Sequence, residues 1–329
     1  MATTYDYIAQ NKRRTVLLVL LFPLAFALLA ALGVGIIFLL LGPSGVETAS
    51  GMTQAQSDLI STALFILPIA WGVAMLWMVI SFFFGDKWLM SGVGAVPVTP
   101  QDQPEIYRLV ENLCITRGLP LPRIYILDDD SLNAFATGRD PQHASVALTK
   151  GIVKKLERVE LEGVVAHELA HIENRDIRLM LLIVAGISFF TLMGEWCLRQ
   201  ALYSGRRRSS KGGNSALFWL VLGIFCMVYG YLIAPVIRLA VSRQREYQAD
   251  ATAALTTRNP RALARALQKI SGDPRVETLD KRESMAAMCI ANPLAQAGLF
   301  SWLSGLFATH PPIEKRIEAL LDMDAEVVR

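Results

Sequence analysis

The sequence predicts a mainly α-helical integral membrane protein, in which four hydrophobic helices accompany an α+β domain with a small sheet. Three observations carry that prediction. The chain has 329 residues, is 53% hydrophobic and has a mean hydropathy of +0.39, too apolar for an ordinary soluble domain. The excess is gathered into runs long enough to cross a hydrocarbon layer of roughly 30 Å. Two charged blocks, 85–176 and 241–329, lie outside those runs, and the first changes from helix-like to strand-like periodicity and back.

Residues 1–84 read as a short cytoplasmic stub and two transmembrane helices. Thr15 to Leu41 and Leu59 to Phe84 contain no charge, and uncharged runs beyond about 20 residues are poor candidates for a soluble core. The first run exceeds the roughly 7–15 apolar residues of a cleavable signal, and Gly42 to Gly45 offers no clear cleavage site, so it is expected to remain an anchor. Lys12, Arg13 and Arg14 precede it, whereas the loop from Gly42 to Asp58 carries only Glu47 and Asp58. The positive-inside rule then puts the N-terminus in the cytoplasm, the loop outside, and the chain back in the cytoplasm after Phe84.

The block 85–176 is the first part of the α+β domain outside the membrane runs. Pro104 to Arg117 has a helical period, with Ile106, Leu109, Val110, Leu113 and Cys114 on one side, and Gly118 to Pro122 breaks it. Arg123 to Leu127 reads as a short strand ended by Asp128, Asp129 and Asp130. That acidic triplet is a solvated turn, lacking the glycine and distal glutamate of a calcium loop. Asn133 to Gly138 and Ala144 to Thr149 read as two more strands around a turn at Pro141. Helices follow from Gly151.

Residues 177–240 form a hydrophobic helical hairpin, Leu179 to Leu198 and Ala216 to Ala240, with Glu195 and Arg238 near the segment ends. Arg199, Arg206, Arg207, Arg208 and Lys211 crowd the connection. A full crossing would place this basic loop outside, against the positive-inside rule; a submerged hairpin would return it to anionic headgroups. Both arrangements stay open. One short basic loop is too little for a nucleic-acid surface, so the partner these segments imply is the lipid bilayer. None of the four cysteines forms a C-x-x-C pair, so no disulfide framework or cysteine metal site is expected. The block 241–329, the second part of the α+β domain, is helical: Pro260 opens a helix through Ile270, and another runs from Ile313 to Met323.

The chemistry is concentrated in residues 167–171, His-Glu-Leu-Ala-His, in a chain with only four histidines. The segment Leu156 to Asn174 reads as a buried helix, with Leu161, Val164, Val165, Leu169, Ala170 and Ile172 apolar. Positions i and i+4 share a helix face, so His167 and His171 aim at one spot. That is half of a zinc site, with Glu168 placed to act on a water as a base. The reaction so named is metal-assisted hydrolysis of a peptide bond. A catalytic zinc takes a third protein ligand and keeps one position open. Glu173, Glu195, Glu246 and His310 are the candidates. Glu246 is preferred because it leaves the fourth hydrophobic segment on the side of the motif helix. Asp250, one turn on, is placed to accept the N–H of a ligand histidine; an ordinary charged face with Arg243 and Arg245 is the competing reading. His310 is the candidate oxyanion donor, followed by Tyr247 and Arg316, and Asn133 is counted with the possible substrate contacts. His143 belongs to a surface turn. The strand residues Ser145, Val146, Ala147 and Leu148 are expected to line the cleft as an edge strand and pair with an extended substrate.

Together, the His167–His171 motif, the run Ser242 to Asp250, the stretch Asn133 to Gly138 and the turn Thr309 to Pro312 with Arg316 resemble the HtpX family of membrane zinc proteases, related to the CAAX prenyl endopeptidases. The resemblance extends over about residues 10–323. It implies a cytoplasmic zincin-like catalytic domain, one Zn²⁺ held by His167, His171 and Glu246, Glu168 as base and Asp250 behind a ligand. It also implies four hydrophobic segments and degradation of damaged membrane proteins under stress. The loop Gly42 to Asp58 is longer than that pattern. Rival readings are a prenyl-protein endopeptidase and a membrane scaffold with a structural zinc.

Overall fold

The computed structural model describes residues 54–206, 219–228, 243–272 and 311–327, together with 216, 217 and scattered positions between 13 and 35. In chain order the elements are α1 (Gln54–Gly92), β1 (Val96–Pro97), α2 (Pro104–Arg117), β2 (Arg123–Leu127), β3 (Ala134–Gly138), a 3₁₀ turn at Pro141–His143, β4 (Ala144–Thr149), α3 (Lys150–Lys155), α4 (Arg158–Glu173), α5 (Asp176–Arg206), α6 (Trp219–Val228), α7 (Arg243–Thr257), α8 (Pro260–Ser271) and α9 (Ile313–Val327). The described chain is mainly helical with one small mixed sheet. It divides into two units, one of 1–14, 81–184 and 234–329, the other of 15–80 and 185–233.

In the first unit the sheet order is β1-β2-β4-β3. β2 and β4 run parallel, with Ile124 opposite Val146, and β3 pairs antiparallel with β4, with Ala136 opposite Val146. The turn between β3 and β4 is set by Gly138, at φ 142°, where an added Cβ would lie 2.4 Å from the His143 carbonyl. Asp140 caps the 3₁₀ turn by accepting the His143 N–H. This topology corrects one expectation. Residues 145–148 are not an edge strand, because β4 is hydrogen-bonded on both sides. The strand with a single neighbour at that end of the sheet is β3.

α2 forms where its apolar period requires: Pro104 opens it, where a missing N–H costs nothing, and Gly118 closes it in the left-handed conformation. α4 starts with a reciprocal capping box between Glu157 and Glu160. Glu160 is fully buried, and Lys269 of α8 donates to it at 2.7 Å. Gly163 lets α8 approach: a Cβ there would meet the Leu263 backbone at 3.2 Å. Residues of α2, the sheet, α4, α7, α8 and α9 share one core, including Val110, Val146, Val164, Ala253, Leu267 and Leu320. The blocks on either side of the hydrophobic hairpin therefore bury one another's apolar faces.

In the second unit, Phe22, Phe189 and Phe190 pack edge to face, and Trp77 Nε1 donates to the Ala185 carbonyl at 3.0 Å. Gly194 and Gly223 allow close helix contact, a Cβ on Gly194 falling 3.3 Å from the Gly223 carbonyl. Among the described residues, two helices are long and apolar enough to cross a membrane, Leu67–Gly92 of α1 and Asp176–Ser204 of α5. Thr15–Leu24 and Trp219–Val228 are shorter apolar helices within the first and fourth hydrophobic segments. Residues 42–53 of the first loop, 207–211 of the basic connection and His310 lie outside the described residues.

Candidate metal centre

α4 places His167 and His171 one turn apart, and α7 brings Glu246 across to both. The ring nitrogens His167 Nε2 and His171 Nε2 are 3.2 Å apart. Glu246 Oε1 lies 3.5 Å from His171 Nε2, and Oε2 lies 3.8 Å from His167 Nε2. Ligands about 2.0–2.1 Å from a tetrahedral cation stand roughly 3.3–3.4 Å from each other. The observed separations are close to three edges of such a tetrahedron, so the donor set fits a small divalent ion. Two other candidate ligands, Glu173 and Glu195, are elsewhere. Glu173 faces Arg117 in a two-toothed pair at 2.6–3.1 Å, and Glu195 pairs with Arg199 on the exposed face of α5.

Behind each histidine stands an aspartate, and behind each aspartate an arginine. His167 Nδ1 is 2.9 Å from Asp250 Oδ1, and Arg316 grips Asp250 with Nε at 2.8 Å and a terminal nitrogen at 2.7 Å. His171 Nδ1 is 3.0 Å from Asp176 Oδ2, and Arg245 donates to Asp176 Oδ1 at 2.8 Å. These carboxylates fix which ring nitrogen carries the proton and leave Nε2 of each imidazole for the cation. Asp250 is where the sequence predicts it. Asp176 and Arg245 are supports that the sequence reading missed. The one signal available was an aspartate five residues past His171, where the next apolar run begins.

The site is buried and acidic. Glu168, Asp176, Glu246 and Asp250 are each 5% exposed or less, and their buried counter-charges are Arg245 and Arg316. Four carboxylates, when ionised, outnumber two guanidiniums and the His171 imidazolium, which leaves the site acidic and suited to a cation that replaces the imidazolium proton. Buried charge without compensation is expensive, so this balance is itself an argument for a metal. Burial pushes Glu168 up to about 7, with the Glu246 charge adding and His171 opposing. Burial works against the charged form of His171, yet the Asp176 hydrogen bond and the Glu246 charge raise it to about 9. Burial holds His167 below its ordinary value despite Asp250. For Asp250, burial is outweighed by Arg316, which keeps its carboxyl below the usual range.

The remaining predicted residues fall into three groups. Arg316 is fully buried and grips Asp250, with another nitrogen 3.6 Å from Glu246, so it supports the ligands. Asn133 is buried and accepts the Ala134 N–H through its own side chain, while its backbone N–H donates to Thr149; it fastens β3 to β4. Tyr247 is half-buried next to Glu246. The strand that does reach the site is β3, because the backbone of Ala136 hydrogen-bonds the Glu168 carboxylate.

Comparison with known proteins decides what this arrangement is. The model of Peptidase family M48 matches residues 100–324. The chain belongs to peptidase family M48. It is 42% identical over 314 residues to the Protease HtpX homolog of Bacteroides fragilis, covering 95% of this chain and 96% of that protein. It is 41% identical over 322 residues to the Protease HtpX homolog of Tropheryma whipplei, covering 97% and 98%. A crystal structure of S. mikatae Ste24p aligns with a TM-score of 0.39 at 18% identity, over 79% of this chain and 66% of that one. This M48 peptidase is therefore a membrane-bound metalloprotease. The HtpX resemblance read from its motifs holds over nearly the whole chain.

Proposed function

We propose that the chain is a multi-pass zinc endopeptidase whose site faces the cytoplasm and which cuts misfolded or damaged membrane and cytoplasmic proteins. The observation that carries this reading is the triangle of His167, His171 and Glu246 donors on and across from the helix that presents Glu168. Zinc is the favoured ion because the set is two imidazoles and a carboxylate with no sulfur, as in catalytic zinc hydrolases. Bound there, it supplies Lewis acidity that acidifies water and polarises the scissile carbonyl.

Glu168 does the proton work. Its carboxyl, pushed up to about 7, takes a proton from the attacking water at neutral pH and returns it to the leaving amine. The hydrogen bond from Ala136 holds that carboxylate beside β3, and β3 has one side unpaired within the sheet. We place the substrate backbone along β3, where main-chain pairing gives broad sequence tolerance. In this reading residues 85–176 and 241–329 form the catalytic domain, which their shared core supports. Residues 1–84 and 177–240 supply the membrane segments, and the Lys12–Arg14 cluster supports a cytoplasmic start.

Two variants of the detergent-purified protein test the assignment on casein. Glu168→Gln is expected to lower cleavage at least 10²-fold, the usual size of a lost general base, while zinc content stays at one per chain. Glu246→Ala is expected to lose the zinc itself. Undiminished cleavage in the first variant, or full zinc occupancy in the second, would remove the corresponding role.

A further inference from the structure

We propose that the first unit carries a binding site for the headgroup of an anionic phospholipid, in a groove at the end of α1. The groove has a volume of about 470 Å³ and is lined by Phe83, Phe84, Lys87, Arg123, Arg139 and Gln142, among others. That volume lies within the roughly 300–1,000 Å³ of small-molecule sites. It is separate from the metal centre and none of its residues serves the proposed chemistry.

Its position on the chain identifies the occupant. The uncharged run of α1 ends at Phe84, and the first charges after it are Asp86 and Lys87. A membrane-crossing helix meets the headgroup layer where such a run stops, and aromatic residues gather there. Phe83, Phe84 and Trp88 are each about half exposed, at 49%, 51% and 50%, and the Phe84 and Trp88 rings stack 6.4 Å apart. Leu76, Val79 and Phe83 expose apolar side chains at helical steps along the same element. That surface suits acyl chains. A soluble anion has no use for it.

The polar wall suits a phosphate. Arg123 reaches across from β2 to pair with Asp86. The Arg139 guanidinium lies 5.2 Å over the Phe83 ring, donates to the Phe83 carbonyl at 3.3 Å and stands 3.5 Å from Asp140. Arg178 in turn donates to the Arg139 carbonyl at 2.6 Å, so this side of the groove is held in place. Lys87 is exposed and forms no ion pair among the described residues. With Arg123 and Arg139 each offset by an aspartate, Lys87 gives the groove its uncompensated positive charge. A phosphodiester satisfies that charge and accepts from the flanking guanidinium and amide donors. Gly138 and the 3₁₀ turn fix Arg139, Gln142 and His143 on the β3–β4 connection, so a bound headgroup bridges the end of α1 to the strand that holds Glu168.

The test is native mass spectrometry of the full-length, detergent-purified protein, titrated with phosphatidylglycerol or with phosphatidylcholine of identical acyl chains. One phosphatidylglycerol is expected to be retained at concentrations where phosphatidylcholine is not. Since a basic residue near an anionic membrane contributes about 1 kcal/mol, Lys87→Gln should weaken phosphatidylglycerol binding about fivefold, and Lys87→Glu more. An unchanged thermal midpoint checks folding. Should Lys87→Glu not fold, Lys87→Gln alone gives the same reading, because it only removes a charge from an exposed position. Equal retention of the two lipids, or unchanged binding in a folded Lys87 variant, would overturn the proposal. So would competition by millimolar inorganic phosphate as strong as that of the lipid, which would mark a soluble-anion site.

Discussion

His167 and His171 sit one turn apart on α4, each backed by an aspartate and an arginine, yet their surroundings differ. The His167 chain is sealed: histidine, Asp250 and Arg316 are 1%, 2% and 0% exposed. It draws only on α4, α7 and α9, all held by the shared core. The His171 side chain is 16% exposed, and its partner Asp176 is the first residue of α5, a helix apolar enough to cross a membrane. The same orienting device is thus built once inside the packed domain and once at the start of an apolar helix. The difference teaches that equal hydrogen bonds carry unequal structural weight. Losing a partner costs most where water cannot replace it.

The widest separation between the two chains is expected from removing each aspartate. Asp250→Ala leaves the Arg316 guanidinium buried with its main partner gone, which costs about 3–5 kcal/mol and lowers metal affinity some 10–100-fold. Asp176→Ala should lower metal affinity as much. It too takes a carboxylate from a buried guanidinium, Arg245, but its histidine is 16% exposed, so water replaces part of the lost bond and the stability cost is smaller. Denaturant unfolding of the two variants, paired with zinc titrations, checks this; equal stability losses would erase the contrast.

A smaller effect lies in pH. His171 is raised to about 9 and His167 is lowered, so protons compete with the cation at His171 first. Metal affinity should fall as pH drops below about 9, close to tenfold per unit for a single competing proton. In chelator-treated protein the sign reverses. The raised His171 contributes stability that is complete below its unfolded value of 6.5 and lost as pH climbs through 9. Asp176→Asn should move both transitions to lower pH, read by zinc titration and by thermal midpoints. The smallest effect sets the floor. Arg117→Ala breaks the Arg117–Glu173 pair near the same end of α4, but that pair is 32% and 25% exposed, and the loss should stay under about 1 kcal/mol in denaturant unfolding.

Much of this was readable in the chain. The period and terminal residues of α2 predict its full extent, Pro104 to Arg117. The two histidines stand out because their spacing puts both on one helix face, whereas Glu246 was one of four candidate ligands and only the fold brings its carboxylate to them. What escaped has a physical cause. β4 is buried at all six positions, so it lacks the polar alternation that separates an edge strand from a central one. β1 has two residues, too few for any period. Asp176 closes a charged stretch, Glu173 to Asp176, and its spacing alone does not aim it at His171. Only the left-handed Arg175, at φ 59°, folds the chain so that Asp176 returns beneath His171. The grip of Arg316 on Asp250 was not legible either, because sequence shows the charge but not the carboxylate it pairs with.

Arg175 also has a consequence for the order of events during biosynthesis. The ligand helix ends, the backbone reverses hand for one residue, and the next helix begins with the carboxylate that sets the tautomer of His171. Until that following helix has formed, one of the two imidazoles lacks its guide. A chain still emerging from the ribosome therefore carries an incomplete site, finished only when Glu246, Asp250 and Arg316, all downstream of the hydrophobic hairpin, have joined it.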